Sequence, residues 1–406
     1  MRNLVLSLIT VASLTFSAEH VAATGRVVDA DGKAVEHAAV LVYSAGVKKG
    51  YSVFCPTCYV DCGKRAFTGA DGSYTIPGLS ADLKFNLLVV KDGFGSKFVE
   101  DIDPVKGPSP DASMKARVVP SNPSQTVRGK VVDREGAPVR DALIEQSGAI
   151  FPDGGQMYGA PGWIDLIAVS NEKGEFEFSH TKPLTSAILQ ISPRGMASKL
   201  ATLHSGLDRK TVTVMDGATI RGRLLQKGKP VANVEVGLSS HSRMSGEFIP
   251  EVRIGTDADG RFAFTNVPAG RIWYLYGKMD SLGPQGLVAD IIECATKDNG
   301  QEVNLGDINV KPAYALRGKV VLSDGKPIPA NMRLLLSSDR VMDSQNLVLA
   351  EDGTFEFKGL DRGVYSLSPA VKGYQLGEGR SLELLIEGAD MNNLTIALQP
   401  AAPRKR

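Results

Sequence analysis

Polar and apolar positions alternate most clearly over Arg261-Phe262-Ala263-Phe264, directly after Thr256-Asp257-Ala258-Asp259-Gly260. A period of two marks a half-buried strand, so Phe262 and Phe264 are expected to face a core while Arg261 and Ala263 face out. The same phrase occurs at Ala70-Asp71-Gly72-Ser73-Tyr74-Thr75-Ile76, Glu172-Lys173-Gly174-Glu175-Phe176-Glu177-Phe178 and Glu351-Asp352-Gly353-Thr354-Phe355-Glu356-Phe357. A second phrase precedes each copy. It runs from Gly25-Arg26-Val27-Val28-Asp29 to Val35, from Gly129-Lys130-Val131-Val132-Asp133 to Val139, from Gly222-Arg223-Leu224-Leu225 to Val231, and from Gly318-Lys319-Val320-Val321 to Ile328. It predicts a strand, a tight Asp/Gly turn that tolerates left-handed backbone, and a second strand. The leading glycines recur at a domain-sized period, far longer than a solenoid repeat, so each unit is expected to bury its own core.

Further alternating runs fill in each unit. Val234, Val236 and Leu238 share one face in the third unit, and Ala38, Val40 and Val42 in the first. Closing strands are predicted through Met114, Ala116 and Val118, through Val212 and Val214, through Leu305, Ile308 and Val310, and through Leu394, Ile396 and Leu398. Long amphipathic helical periods are missing. About seven short strands per unit, packed as two antiparallel sheets, follow from this pattern.

These phrases, from Gly-x-Val-Val-Asp to Asp-x-x-Gly-x-Phe-x-Phe, resemble the carboxypeptidase regulatory-like domain, a transthyretin-like or prealbumin-like β-sandwich. Asn266-Val267-Pro268-Ala269-Gly270 and Gly359-Leu360-Asp361-Arg362-Gly363 look like that family's return loop. Leu322 replaces the Asp in the fourth unit, and His180-Thr181-Lys182-Pro183 replaces the glycine loop in the second. The resemblance implies an all-β chain of four tandem seven-stranded antiparallel sandwiches, Ig-like or prealbumin-like, belonging to secreted or surface proteins and non-catalytic in themselves. The expected divisions are a signal peptide over 1–23, sandwiches over 24–119, 120–217, 218–312 and 313–400, and a basic tail over 401–406.

Export rests on Arg2, the short apolar run from Leu4 to Leu14, and small residues at Val21-Ala22-Ala23, with an earlier cut available after Ala18. No other segment approaches membrane-spanning length, so a mature chain without a transmembrane segment is expected, in the periplasm, on the cell surface or secreted. With Lys+Arg 46 against Asp+Glu 45, no basic excess points to nucleic acid.

The four cysteines are Cys55, Cys58, Cys62 and Cys294. Cys55-Pro56-Thr57-Cys58-Tyr59-Val60-Asp61-Cys62 falls on a loop of the first unit. In an exported protein its leading reading is a disulfide, one local bridge with Cys294 free or joined to the third cysteine. Zinc on Cys55, Cys58 and Cys62, completed by His37 or Asp61, is a weaker reading, as is thiol exchange, because no helix start lowers a thiol pKa there. Asp29-Ala30-Asp31-Gly32 and Asp257-Ala258-Asp259-Gly260 open like calcium loops but lack the closing bidentate Glu, so turn chemistry explains them. None of His20, His37, His180, His204 and His241 has Glu three residues later, as a zinc carboxypeptidase requires. Ser323-Asp324-Gly325-Lys326 sits in a hairpin turn and not on the helix that an acylating Ser-x-x-Lys needs. No catalytic residue and no cofactor are expected.

Ser147 to Ala168 is a Gly-rich insertion carrying Phe151, Met157, Tyr158 and Trp163. Tyr158 and Trp163, with Met157, are the candidate ligand-binding residues, since exposed rings stack on sugars; the competing reading packs them into the open end of the core. Trp273, Tyr274 and Tyr276 belong to an alternating strand and read as core or rim. The sequence therefore predicts a surface spacer, adhesion or protein-interaction module with a protein or glycan partner at the cell envelope. Its rivals are a carbohydrate-binding protein, an accessory to a separate peptidase, and a metal or redox protein built on the cysteine loop.

Overall fold

The computed structural model describes residues 20–57, 59–159, 161–240 and 252–401. Strand is the main regular structure, with very little helix, and the strands form four successive pairs of sheets. In the first sandwich, His20–Val28 pairs with Ser73–Ser80 and Ala112–Ser113, while Arg65–Phe67, Ala39–Val47, Leu83–Val90 and Lys97–Ile102 form the facing sheet. In the second, Thr126–Val132 lies between Glu175–Ser179 and Arg209–Thr213, facing a sheet built on Leu143–Ile150 and Ser186–Ser192. Ala218–Gln226 and Tyr314–Leu322 hold the same position in the third and fourth. Each pair of sheets encloses its own apolar cluster, centred on Phe85, Phe178, Trp273 and Phe357 in turn.

The two repeated phrases meet across one strand pair in every sandwich. Gly25 is opposite Tyr74, Gly129 opposite Phe176, Gly222 opposite Phe262 and Gly318 opposite Phe355. A Cβ on these glycines would lie 2.8, 2.2, 2.7 and 2.7 Å from the ring it faces, and on Gly318 also 2.2 Å from the Leu394 carbonyl. The glycine is therefore a socket for the aromatic side chain, which is why the two residue types recur together. The hairpin glycines Gly72, Gly174, Gly260 and Gly353 take φ of +77, +74, +75 and +83, where only glycine is unstrained. Each carbonyl accepts from the strand it turns toward, through the amides of Val27, Val131, Leu224 and Val320 at 2.8–2.9 Å. Phe262 and Phe264 are buried between exposed Arg261 and Ala263.

Three expectations change. One sheet of each sandwich is mixed, since its closing strand runs parallel to its opening strand, as Arg209–Thr213 does beside Thr126–Val132, while the facing sheet is antiparallel throughout. Alternation gives a strand's face and not its direction, so this could not be read from the pattern. In the first sandwich the closing run stops early. Ala112 and Met114 are buried, but Ala116 and Val118 are exposed, because the chain leaves the sheet after Ser113 and turns toward the second sandwich. In the third, Leu305 is only half-buried while Ile308 and Val310 are buried, because a register shift at Gly306 (φ +67) changes the facing parity.

The opening strand begins at His20, ahead of the expected boundary at 24. Ala23 is buried and pairs with Ile76, so a cut after Ala23 would remove part of this strand, whereas a cut after Ala18 leaves it whole. Residues 1–19, which hold most of the expected signal, and 402–406 of the basic tail lie outside the described residues.

Candidate binding cleft between the sandwiches

The first sandwich is joined to the second, and the third to the fourth. Leu41, Leu88 and Val90 of the first pack on Leu143, Ile167 and Val169 of the second, an apolar layer separate from either core. Arg117, just past the first sandwich, clamps Asp165 with two hydrogen bonds of 3.1 and 2.7 Å and reaches Glu177 at 2.5 Å; Arg128 holds the other Glu177 oxygen at 2.6 Å. Burial would raise the Glu177 carboxyl, but the two guanidiniums outweigh it and hold Glu177 below the ordinary carboxylate range. Between the third and fourth sandwiches Lys278 and Asp343 form an ion pair whose side chains are 1% and 2% exposed. The second Asp343 oxygen accepts from the amide of Met279 at 2.8 Å, and Tyr276 donates its hydroxyl to the Met342 carbonyl at 3.1 Å. Burial pushes the Asp343 carboxyl up to about 6 against the opposing pull of Lys278.

The cysteine loop of the first sandwich closes onto the fourth. Asn346 donates to Ser52 Oγ at 3.2 Å, and Gly50 (φ +82) sits where a Cβ would lie 2.1 Å from the Asn331 carbonyl. Beside this contact is a cleft of about 580 Å³. Phe54 and Tyr59, edge to face with centroids 4.8 Å apart, form one wall. Leu347 and Asn346 of the strand Ser344–Val348 form another, and the short helix Met279–Leu282 closes the end. Arg253, Lys358, Asp280 and Glu356 also line it, so apolar walls carry charges of both signs.

The predicted site residues are dispersed. Cys55 is disulfide-bonded, Cys62 and Cys294 are free thiols, and Cys58 lies outside the described residues. The alternative joining Cys294 to the third cysteine is excluded: Cys294 is in the core of the third sandwich, and Cys62 packs on that of the first. A disulfide sulfur is not a thiolate donor, so the metal reading loses Cys55. Its two proposed helpers are also engaged. Asp61 binds Lys64 at 2.6 Å and the Ser80 amide at 3.1 Å, while His37 lies 3.3 Å from Arg140 of the second sandwich. Among the described residues no group of three or more His, Cys, Asp or Glu is placed to hold a metal ion. The calcium-like aspartates serve their turns: Asp29 accepts from the amides of Asp31 and Lys33, and Asp257 from those of Asp259 and Arg261.

Burial pushes Cys62 up to about 11, with Asp61 adding to the shift, and burial followed by Glu293 pushes Cys294 up to about 11. Cys62 also donates to the Pro56 carbonyl at 3.3 Å. Native protein at pH 7.5 is thus expected to react with iodoacetamide more than ~tenfold more slowly than an open cysteine, with Cys294 modified only on unfolding. Mass spectrometry of timed samples checks this, and a fast native thiol would restore the redox reading.

In the Gly-rich insertion, Trp163 is 7% exposed and packs edge-on against Phe178 and His180 at 5.7 and 5.1 Å. It plugs the core of the second sandwich and offers no free face to a sugar. Met157 also packs on that core, which leaves Tyr158, 68% exposed, as the one outward ring of the three candidates. Trp273 is fully buried and donates to Thr296 Oγ1 at 3.1 Å. Sequence reasoning missed the cleft and the ion pairs. Phe54 and Tyr59 flanking the cysteines were the available signal for the first; Lys278 and Asp343 carry none, since charged residues are ordinarily at the surface.

No family model matches the chain and no curated protein matches it, so the family resemblance rests on the quoted phrases. Solved structures similar to it include the Bacillus anthracis TIE protein (12% identity over 96% of this chain and 76% of that one, TM-score 0.21). Others are a streptococcal ancillary pilin (12% identity, 68% and 100%, TM-score 0.23) and GBS52, the minor pilin of Streptococcus agalactiae (14% identity, 47% and 99%, TM-score 0.23). No described helix is long and apolar enough to cross a membrane.

Proposed function

We propose that this is an exported, non-catalytic protein-interaction or adhesion module whose sandwiches are locked to one another so that surfaces of several of them form one site for a partner protein. The observation that carries this reading is the use of buried charge. Lys278–Asp343 ties the third sandwich to the fourth, and Arg117–Asp165–Glu177 ties the first to the second. Taking ions out of water costs several kcal/mol each, and such pairs fix orientation more than they add stability. A spacer needs only length, and flexible linkers supply that. Fixed orientation matters when separate sandwiches must present one surface, and the cleft between Phe54, Met279 and Leu347 is such a surface. The carbohydrate reading keeps only Tyr158 as an exposed ring of its three candidates. The peptidase-accessory reading is one form of the partner-binding proposal.

The test places a photo-crosslinking amino acid at Val60 or Leu347 in the native host, with Leu207 on the second sandwich as a distant control; Val60 and Leu207 are 51% and 70% exposed. The cleft positions are expected to yield one crosslinked envelope protein that the control does not. Equal or absent crosslinking at all three positions would overturn the proposal.

A further inference from the structure

Resting on that reading, we infer that the cleft takes an extended polypeptide segment, which adds as a new strand to the free edge of Ser344–Val348 and packs apolar side chains against Phe54 and Tyr59.

Ser344–Val348 is the outermost strand of its sheet, bonded on one side to Arg333–Ser338. Its register assigns the backbone groups. The Ser338 amide donates to the Asp343 carbonyl and the Leu349 amide to the Met332 carbonyl, so Asp343, Gln345, Leu347 and Leu349 bond inward. Ser344, Asn346 and Val348 therefore turn their N–H and C=O groups outward. Ser344 and Asn346 line the cleft, and Val348, 46% exposed, lines the groove beside it. Another extended backbone answers such a row of alternating donors and acceptors, which a sugar ring or a helix cannot match in spacing.

The fold itself begins this interface. Asn346 already holds Ser52 of the cysteine loop at 3.2 Å, so an added strand continues an existing contact between the first and fourth sandwiches. A partner strand of five residues spans ~17 Å, the length of the edge. Its side chains alternate, one set toward Phe54 and Tyr59 on the face where Asn346 meets Ser52, and the other toward Leu347 and the charged rim at Lys358. The disulfide at Cys55 holds the aromatic wall on its loop.

The test uses the full chain. A phage-displayed library of random 12-residue peptides is panned against it, and the selected peptides are measured by fluorescence polarisation. Asn346→Pro removes the outward amide while sparing every inward hydrogen bond, and Asn346→Ala removes the Ser52 contact but keeps the amide. The proposal expects selected peptides with apolar residues at alternate positions, binding one to one. Affinity should fall at least tenfold in Asn346→Pro, change less than threefold in Asn346→Ala, and fall again in Phe54→Ala. Thermal melting confirms that each variant is folded; if Asn346→Pro is not, Val348→Pro takes its place. Equal affinity for the proline and alanine variants would overturn the inference, as would a library that yields no binder. Self-association relieved by the proline variant would overturn it in favour of a second copy of this chain. An envelope protein crosslinked at Leu347 but unaffected by Asn346→Pro would keep the partner-binding function and reject strand addition alone.

Discussion

Lys278→Met is expected to destabilise the third and fourth sandwiches by about 3–5 kcal/mol, because it leaves Asp343 buried without its counter-charge. Met279, whose amide holds the same carboxylate, packs into the core of the fourth sandwich, so the loss spreads from the junction into that core. The double variant Lys278→Met/Asp343→Leu is expected to recover most of the loss or exceed the parent, since apolar packing replaces an ion pair that was costly to dehydrate. Native-state hydrogen exchange of the strands on both sides of the junction measures both. A single variant with unchanged protection would mean that the pair is hydrated and not a lock. If the double variant is stable but no longer yields the crosslink at Leu347, the pair's part is orientation.

Phe176→Ala is expected to cost the second sandwich about 3–5 kcal/mol, the usual loss for a buried ring. Gly129→Ala, a change of one methyl group, is expected to cost about 1–3 kcal/mol, because its Cβ would meet the Phe176 ring at 2.2 Å and force it out of its socket. The informative quantity is the coupling. With the ring already gone the clash disappears, so Gly129→Ala in the Phe176→Ala background should cost less than about 1 kcal/mol. Full additivity in hydrogen-exchange free energies would show that glycine is required there by its backbone and not by the ring.

The socket explains why so much of the fold was legible. Glycine and aromatic ring are each visible in the sequence, their pairing repeats four times, and the turn between them is dictated by left-handed glycine. The directions of the closing strands were not legible, because burial alternates in the same way for parallel and antiparallel neighbours. The junction of the first two sandwiches left a sign that alternation hides. Ala39-Val40-Leu41-Val42 and Leu87-Leu88-Val89-Val90 are unbroken apolar runs, and such runs belong to strands covered on both faces. Val40 and Val89 serve the core of the first sandwich, while Leu41 and Leu88 serve the contact with the second. Trp163 shows the opposite case. A Gly-rich, aromatic-bearing insertion looks like a binding loop, yet the core of the second sandwich was left open by its short strands and takes the ring itself. The cleft depends on contacts between residues nearly three hundred positions apart, such as Ser52 and Asn346, which no local pattern encodes.

Four sandwiches, each closed by its own glycine-and-ring socket, make up the fold. Hydrogen-exchange mass spectrometry on Gly25→Ala, Gly129→Ala, Gly222→Ala and Gly318→Ala tests it most directly. Each variant is predicted to lose protection chiefly in the two sheets of its own sandwich, with a smaller loss in the sandwiches it contacts. Equal loss along the whole chain, or loss centred on another sandwich, would contradict it.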